Sequence, residues 1–262
     1  MIKIASGYSE KGGSTSAFID LTNELNKRGL ETIFYGPHNF HLDKCKSDKL
    51  ENIVINDDDI LICHFLQLPV RPAAKKVILM CHEKWWFMVG DIKQYWDIAV
   101  FLHDAHREYH SKYQGPFEII PNLKPDLKPK DKEDLDLVAG IIGAIEDRKQ
   151  THKSIQRAMA DGCTKIKLFG HVSDQAYYNK YVVPVMTNEV ELVGFSTDKQ
   201  SMYDSIGRVY HSSKGEVACL VKDECYLTNT KFFGNEETEN EVSMLTNDEI
   251  INKFKKLFNY GN

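Results

Sequence analysis

The sequence predicts an α/β fold with two parallel β-sheets, and three observations lead to this prediction. Short, almost uninterrupted apolar runs alternate with amphipathic segments along the chain. Runs of this kind are typical of parallel strands that are covered on both faces of their sheet. The alternation stops at a charged, proline-containing stretch, residues 123–136, and starts again after it. With 262 residues, 42% of them hydrophobic, the chain is long enough for two domains that each have a core.

The first half of the chain predicts a sheet that starts close to the N-terminus. A strand over residues 2–5 leads through a turn rich in glycine and serine into a helix. In this helix Phe18, Leu21 and Leu25 recur at the three- and four-residue spacing of one helix face. Gly29 follows two basic residues and is expected to end the helix. Further strands are predicted over residues 31–35, 59–64, 76–82 and 97–102.

The second half repeats the alternation of strands and helices. A helix is predicted over residues 151–162, and an amphipathic helix over residues 248–258 follows an acidic loop, residues 236–241. The predicted strands cover residues 137–143, 165–170, 190–194 and 207–211.

This organisation predicts two domains, residues 1–122 and 137–245, with a linker at 123–136 and a C-terminal helix within 246–262. Ligands of open parallel sheets bind beyond the carboxyl ends of the strands. A cleft between the domains, faced by these strand ends, is therefore the expected site.

Composition argues against several classes of protein. The net charge of −5 gives no general basic excess for nucleic acid, although a local basic cleft stays open. The six cysteines form no Cys-x-x-Cys pair, so we expect buried, reduced thiols in a cytoplasmic protein rather than disulfides or a zinc site. We expect no signal peptide, and no apolar run approaches the about 20 residues of a membrane span.

The most informative motif pairs two glutamates behind a predicted strand. It reads Ser213-x-x-Glu216, followed by Glu224 eight residues later. A helix that starts near Gly215 would place both carboxylates on nearly the same face, about 12 Å apart, at the two ends of an extended ligand. Glutamates on an exposed helix face are, however, more often solvated surface. Ser213 could simply cap the helix.

Other candidates lie where strands are predicted to end. Gly12 and Gly13 allow positive φ and close approach of the backbone to a ligand, although an ordinary turn explains them equally well. The chain has neither the dinucleotide fingerprint nor a phosphate loop, which disfavours NAD and ATP. His82, and with less support His64, could hydrogen-bond a ligand or be satisfied loop residues. Residues 57–59 precede a strand, so we expect a solvated acidic turn and no metal site.

In this order, the landmarks resemble the retaining nucleotide-sugar glycosyltransferases of the GT-B fold over most of the chain. Six pieces carry the resemblance: the Lys11–Ser14 glycine loop, the strands ending at His64 and His82, Ile120-Pro121-Asn122 with Asp126, Gly143 with Lys149, Val190–Gly194, and Ser213-x-x-Glu216 with Glu224. Three positions depart from the family: Ala144 replaces an arginine, Gln150 replaces a glycine, and Asn229 to Lys231 replace Gly-x-Pro.

The resemblance implies two Rossmann-like domains, the first for the acceptor and the second for a nucleoside diphosphate-sugar donor. The C-terminal helix would return to the first domain, and no cofactor or metal is needed. The implied donor-binding residues are Gly12, Gly13, Gly143, Ser213 and Glu224, the last on the ribose. The implied catalytic residues are Glu216 beside the donor sugar, Lys149 and Arg148 on the phosphates, and His82 on a sugar hydroxyl. Arg148 would replace the arginine lost at Ala144.

The acceptor is left open by the sequence. The chain is compact for the family, and its composition is rich in lysine and aspartate. Both are compatible with a phage enzyme that glycosylates hydroxymethylated bases in DNA inside the host cytoplasm. The acceptor would then face Lys84, Arg107, Lys112 and the aromatic run Trp85, Trp86 and Phe87, unless these aromatic residues form core. The alternatives are a surface glycan or small-molecule acceptor, and a catalytically silent protein that binds nucleotide-sugars.

Overall fold

The computed structural model describes residues 1–9, 12–66, 68, 70–84, 95–131, 133–238 and 242–259. It confirms the predicted α/β class, with two sheets in which all paired strands run parallel. The chain divides into two compact units. The first comprises Met1–Leu123 together with Met244–Asn262, and the second comprises Lys124–Ser243.

The first unit contains a seven-stranded sheet. Its strands are β1 (Ile2–Ser6), β2 (Thr32–Gly36), β3 (Ser47–Lys49), β4 (Ile60–His64), β5 (Lys76–Met80), β6 (Ile98–Phe101) and β7 (Phe117–Ile119). The strand order is β3-β2-β1-β4-β5-β6-β7. Every residue of β1, β5 and β6 is buried, as expected for strands covered on both faces.

Two helices of the first unit, α1 (Gly13–Lys27) and α2 (Asp104–Tyr109), follow β1 and β6. The start of α1 differs from the sequence prediction. Gly12 caps α1 with φ −178°, an extended conformation that any residue adopts, and Gly13 is already helical. The pair therefore does not use the positive φ that glycine allows. Gly29, with φ +76°, does end α1 in the left-handed conformation that favours glycine.

The second unit contains a five-stranded sheet. Its strands are β8 (Val138–Ile142), β9 (Lys165–Phe169), β10 (Val190–Leu192), β11 (Arg208–Tyr210) and β12 (Lys231–Phe233), in the order β10-β9-β8-β11-β12. Its helices are α3 (Thr151–Ala160), α4 (Gln175–Tyr177), α5 (Lys199–Asp204) and α6 (Leu220–Leu227). The charged stretch before β8 contacts this unit, because Leu127 packs with Tyr203 and Lys128 N donates to Gln200 Oε1 at 2.8 Å.

The last helix, α7 (Asn247–Asn259), belongs to the first unit. Its apolar face is buried, with Ile250, Ile251 and Phe254 at most 1% exposed. The buried Lys76 Nζ, at the start of β5, donates to Leu257 O at 2.8 Å and satisfies a carbonyl in the last turn. Within the described ranges, no helix combines the length and the apolar character that crossing a membrane requires.

The acidic residues before β4 only partly match the predicted solvated turn. Asp57 and Asp58 are exposed, but Asp59 is 4% exposed and accepts hydrogen bonds from Lys3 Nζ at 2.5 Å and Asn56 N at 2.7 Å. Burial by itself raises the pKa of Asp59, but the bonds from Lys3 and Asn56 outweigh it and hold the pKa below its ordinary value.

This pairing predicts an acid-sensitive first unit. Because the pKa of Asp59 is lower in the folded than in the unfolded chain, its contribution is present at neutral pH and lost as the pH falls below about 4. We expect the free energy of unfolding of Asp59→Asn to be about 1.5–3 kcal/mol below wild type at pH 7, and the gap to narrow at pH 3. Denaturant titrations at both pH values measure this. Asp58→Asn is the exposed control, and an equal effect of both changes would contradict the assignment.

Candidate functional site

The turn after β8 depends on two glycines. Gly143 has φ +135°, a region that side chains other than glycine rarely adopt. Gly170 follows β9, and a Cβ atom there would lie 1.8 Å from the carbonyl oxygen of Gly143. No side chain fits at Gly170, so the backbone at the end of β9 lies directly against the backbone at the end of β8. Because no side chain stands between the two strand ends, the residues of the loop after β8 can occupy the space beyond that strand.

Two loops of the second unit, one after β8 and one after β11, are hydrogen-bonded to each other. Arg148 and Lys149 lie in a short 3₁₀ turn directly before α3, and Ser213 and Lys214 follow β11. Arg148 O accepts a hydrogen bond from Lys214 N at 2.8 Å and a longer one from Ser213 Oγ at 3.4 Å. These bonds hold residues 213–216 as a loop, and α6 begins only at Leu220. The predicted helix start near Gly215, and with it a common helix face for the two glutamates, is wrong.

Glu216 lies at the centre of this arrangement. Its Oε1 accepts a hydrogen bond from Lys149 Nζ and lies 3.0 Å from His211 Nε2 and 3.7 Å from Arg148 Nη1. Burial raises the pKa of Glu216, but the hydrogen bond with His211 and the charge of Lys149 outweigh it and hold the pKa far below its ordinary value. Glu216 is therefore a charged carboxylate at neutral pH and a weak base.

A small pocket adjoins this cluster at the start of α3. Ser154, 1% exposed, contributes a side-chain oxygen with no hydrogen-bond partner in the described part of the chain. A lysine beside the start of a helix is a feature that binds phosphate, but the pocket itself, of about 10 Å³, has room for no more than a water molecule. The pocket is lined by Gly143, Ala144, Lys149, Thr151, Ser154 and His211, among others.

Glu224 lies in α6, apart from the loop that holds Glu216. It is 5% exposed, so the alternative of a solvated helix glutamate is wrong for this residue. Its Oε1 accepts from Lys199 Nζ at 2.6 Å and its Oε2 from Tyr203 Oη at 2.8 Å, both on α5. Each carboxylate oxygen can accept a second hydrogen bond, so the pair of oxygens can still bind vicinal hydroxyls.

In the first unit, polar side chains also meet where the strands end. His64 is buried, with Nδ1 2.8 Å from Ser6 Oγ and Nε2 2.8 Å from Glu83 Oε1. The His82 ring stacks on Phe18, with ring centroids 5.0 Å apart. Its Nε2 is buried and has no hydrogen-bond partner among the residues described. Burial, and to a lesser extent His64, lowers the pKa of His82 well below its ordinary value, so the ring is neutral.

The residues predicted to face the acceptor have mixed outcomes. Lys84 Nζ lies 4.7 Å from the ring centre of Tyr109, and Lys112 is exposed. Arg107 is half-buried and donates to His110 O at 2.7 Å and Tyr113 O at 2.6 Å, within its own unit. Outside the described residues lie Lys11 of the glycine loop and the aromatic run Trp85, Trp86 and Phe87.

Sequence reasoning missed four residues of these clusters, namely Lys199, Tyr203, His211 and Glu83. His211 could have been found, because it is the last residue of the predicted strand 207–211, two residues before Ser213. Glu83 adjoins His82, which was singled out. Lys199 and Tyr203 gave no local signal, since they lie 25 and 21 residues before their partner Glu224 in a helix of six residues.

The two parallel sheets, each in its own unit, give this protein the GT-B fold, as predicted. The solved structure of HepE from Anabaena with UDP-glucose is 12% identical, with TM-score 0.69 over 90% of this chain and 80% of that one. WaaG, a glycosyltransferase involved in lipopolysaccharide biosynthesis, is 10% identical, with TM-score 0.68 over 99% and 90% of the two chains. AviGT4, a glycosyltransferase involved in avilamycin A biosynthesis, is 14% identical, with TM-score 0.60 over 97% and 88%.

At these identities the likeness is one of fold. No family model and no curated protein matches the sequence.

Proposed function

We propose that this protein is a glycosyltransferase that takes a sugar from a UDP-sugar and passes it to an acceptor hydroxyl. The observation that carries the proposal is the group formed by Lys149, Arg148 and His211 around Glu216, beside the Gly143 turn and the start of α3. A lysine and an arginine beside the start of a helix suit a pyrophosphate. UDP-glucose is the ligand of HepE, which shares the fold.

In the proposed reaction, negative charge grows on the departing UDP as the bond from its phosphate oxygen to the sugar breaks. Lys149, with Arg148, neutralises this charge, and Glu216 with His211 holds Lys149 in position. Glu224 accepts from the ribose hydroxyls, and Gly12, Gly13, Gly143 and Ser213 complete the donor contacts.

We further propose transfer with retained anomeric configuration. Glu216 is hydrogen-bonded to Lys149 and His211, which fits a positioning role better than that of a nucleophile. The acceptor hydroxyl would then attack from the face that UDP leaves, pass its proton to the departing phosphate and form the new bond to the sugar. Proton NMR of the anomer first released from UDP-glucose by water distinguishes retention from inversion.

For the acceptor, we propose that the first unit contributes His82, whose neutral ring suits a sugar hydroxyl. A hydroxymethylated base in DNA stays one candidate, with Lys84, Lys112, Trp85 and Trp86 as its contacts, and a surface glycan or small molecule is the other. A gel shift on duplex DNA decides between them, because phosphate contacts give an affinity that falls steeply with salt. A cytoplasmic location is a further proposal, which rests on the cysteine usage.

The experiment that tests the proposal is calorimetry with UDP and UDP-glucose, followed by an assay of UDP release without acceptor. We expect binding of both ligands and slow release of UDP. Binding without release, also in the presence of candidate acceptors, would favour the catalytically silent alternative, for which Ala144 in place of the family arginine is the argument. No binding of either ligand would overturn the proposal.

We also expect the transfer to need no cofactor and no metal that exchanges at the donor site, because lysine and arginine supply the charge that stabilises UDP. Brief incubation with millimolar EDTA should leave the rate of UDP release unchanged within about twofold. A rate that is abolished by EDTA and restored by magnesium or manganese would show that a carboxylate site for the donor was missed.

A further inference from the structure

Three side chains of the types that bind metal ions lie close together in the first unit, outside the clusters described above. Cys81 follows β5, His106 lies in α2, and His110 directly follows α2. The Sγ atom of Cys81 lies 3.6 Å from His106 Nε2 and 3.5 Å from His110 Nε2, and all three atoms are within 4.8 Å of one another. Each of these residues is at most 1% exposed.

The two sulfur–nitrogen separations agree with the geometry of a tetrahedral zinc site. With zinc–sulfur and zinc–nitrogen bonds of about 2.3 and 2.0–2.1 Å, the sulfur and a nitrogen ligand lie about 3.6 Å apart. The two histidines are four residues apart, and His110 caps the end of α2, about one turn after His106. The backbone oxygen of Glu83 lies 2.6 Å from His110 Nε2, 3.0 Å from His106 Nε2 and 3.4 Å from Cys81 Sγ. Tetrahedral ligands of zinc stand about 3.3 Å or more apart, so this oxygen would have to move outward to serve as a fourth ligand.

We propose that Cys81, His106 and His110 bind a structural zinc ion. The Cys81 thiol releases its proton on binding, the two imidazoles bind through Nε2, and Glu83 O or a water molecule supplies the fourth ligand. This site differs from the sequence expectation of no zinc, which considered Cys-x-x-Cys pairs only. Cys81 is separated from the histidines by 25 and 29 residues, so only the folded chain brings them together.

The alternative is a hydrogen-bonded cluster around Glu83 O without metal. In that form His106 carries its proton on Nε2 and accepts a hydrogen bond from Leu102 N on Nδ1, at 3.2 Å. Zinc on Nε2 moves the proton to Nδ1 and removes this bond. Zinc binding would also break the bonds to Glu83 O and leave the Leu102 and His106 N–H groups facing each other, so the bonds from a thiolate and two imidazoles to zinc must outweigh this loss.

The proposed ion has a clear structural role. Glu83 presents its backbone oxygen to this cluster and its carboxylate to His64. Zinc would therefore fix the residues that follow β5, next to His82. The inference does not rest on the proposed glycosyl transfer, because every ligand lies in the first unit and the readouts below do not use activity.

The test uses the full chain, purified without chelator and dialysed against metal-free buffer. We expect about one zinc ion per chain by elemental mass spectrometry. Exchange for cobalt should give a sulfur-to-cobalt absorption band, which reports the thiolate directly. Cys81→Ser should lose the band and bind zinc more than tenfold more weakly. Cys63→Ser is the matched control, because Cys63 is equally buried on the adjacent strand β4 and lies outside the cluster.

Wild-type protein with less than about a tenth of a zinc ion per chain, and with no absorption band when cobalt is added, would overturn the proposal. The three residues would then be the hydrogen-bonded cluster around Glu83 O. If Cys81→Ser does not fold, the zinc content and the cobalt spectrum of the wild type still decide the question. Calorimetry with UDP on the same samples reports separately on the proposed function.

Discussion

Replacement of Lys149 by alanine is expected to lower the turnover number about 100- to 1,000-fold, with a change in donor affinity of less than about tenfold. Lys149 donates to Glu216 and lies beside the Gly143 turn and the start of α3, next to which the proposed pyrophosphate would lie. Because the charge on UDP grows as the sugar leaves, the lysine stabilises the transition state more than the bound donor. Steady-state assays of UDP release, with calorimetry on UDP-glucose, measure the two effects separately.

Two neighbouring residues supply controls for this prediction. The Arg148 side chain is 49% exposed and also pairs with Glu146 at 2.9 Å, so Arg148→Ala should lower turnover by about tenfold or less. Lys214 lies in the loop that is hydrogen-bonded to Arg148, and its side chain is 53% exposed and paired with Asp147 rather than with Glu216. Lys214→Ala should therefore behave as wild type. If Lys149→Ala and Arg148→Ala both have wild-type turnover, the prediction is wrong and the turn is an ordinary surface loop.

Glu224→Ala is expected to weaken the binding of UDP about 10- to 150-fold, which corresponds to about 1.5–3 kcal/mol for a charged hydrogen bond. The carboxylate is already held by Lys199 and Tyr203, so it is oriented before a ribose arrives. Calorimetry with UDP measures the affinity, and the melting temperature shows whether the variant is folded.

A second variant separates contact with the ribose from support of the fold. Tyr203→Phe removes one hydrogen bond to Glu224 and leaves the carboxylate in place, so it should weaken UDP binding only a few-fold. A folded Glu224→Ala protein with wild-type affinity for UDP would contradict the assignment of Glu224 to the ribose.

The main elements of the fold could be predicted because they are long and strongly patterned. β1, β4, β5, β6, β8 and β9 are four or five residues long and mostly apolar, while α1, α3 and α7 show a clear helix period. The missed elements are short: β3, β7 and β12 have three residues each, and α2 and α5 have six. Such segments form because neighbouring elements supply partners, and a local pattern carries little of that information.

Some residues of the candidate clusters could be singled out from the sequence, but their geometry could not. Lys149 and Glu216 were each identified from separate motifs, yet their contact joins residues 67 positions apart. The later start of α6 follows from hydrogen bonds between two loops, which local propensity does not contain. Cys81, His106 and His110 also meet through contacts between residues distant in sequence.

The return of α7 to the first unit has a consequence for synthesis and for dissection of the protein. The second unit is one uninterrupted segment, Lys124–Ser243, and can be excised as a single fragment. The first unit is assembled from both ends of the sequence, and a ribosome must complete the second unit before α7 exists. Until then the surface that receives Ile250, Phe254 and Leu257 is uncovered, so a nascent or truncated first unit should attract chaperones. Expression of the first unit alone therefore requires α7 to be joined to it, for example through a short linker after residue 123.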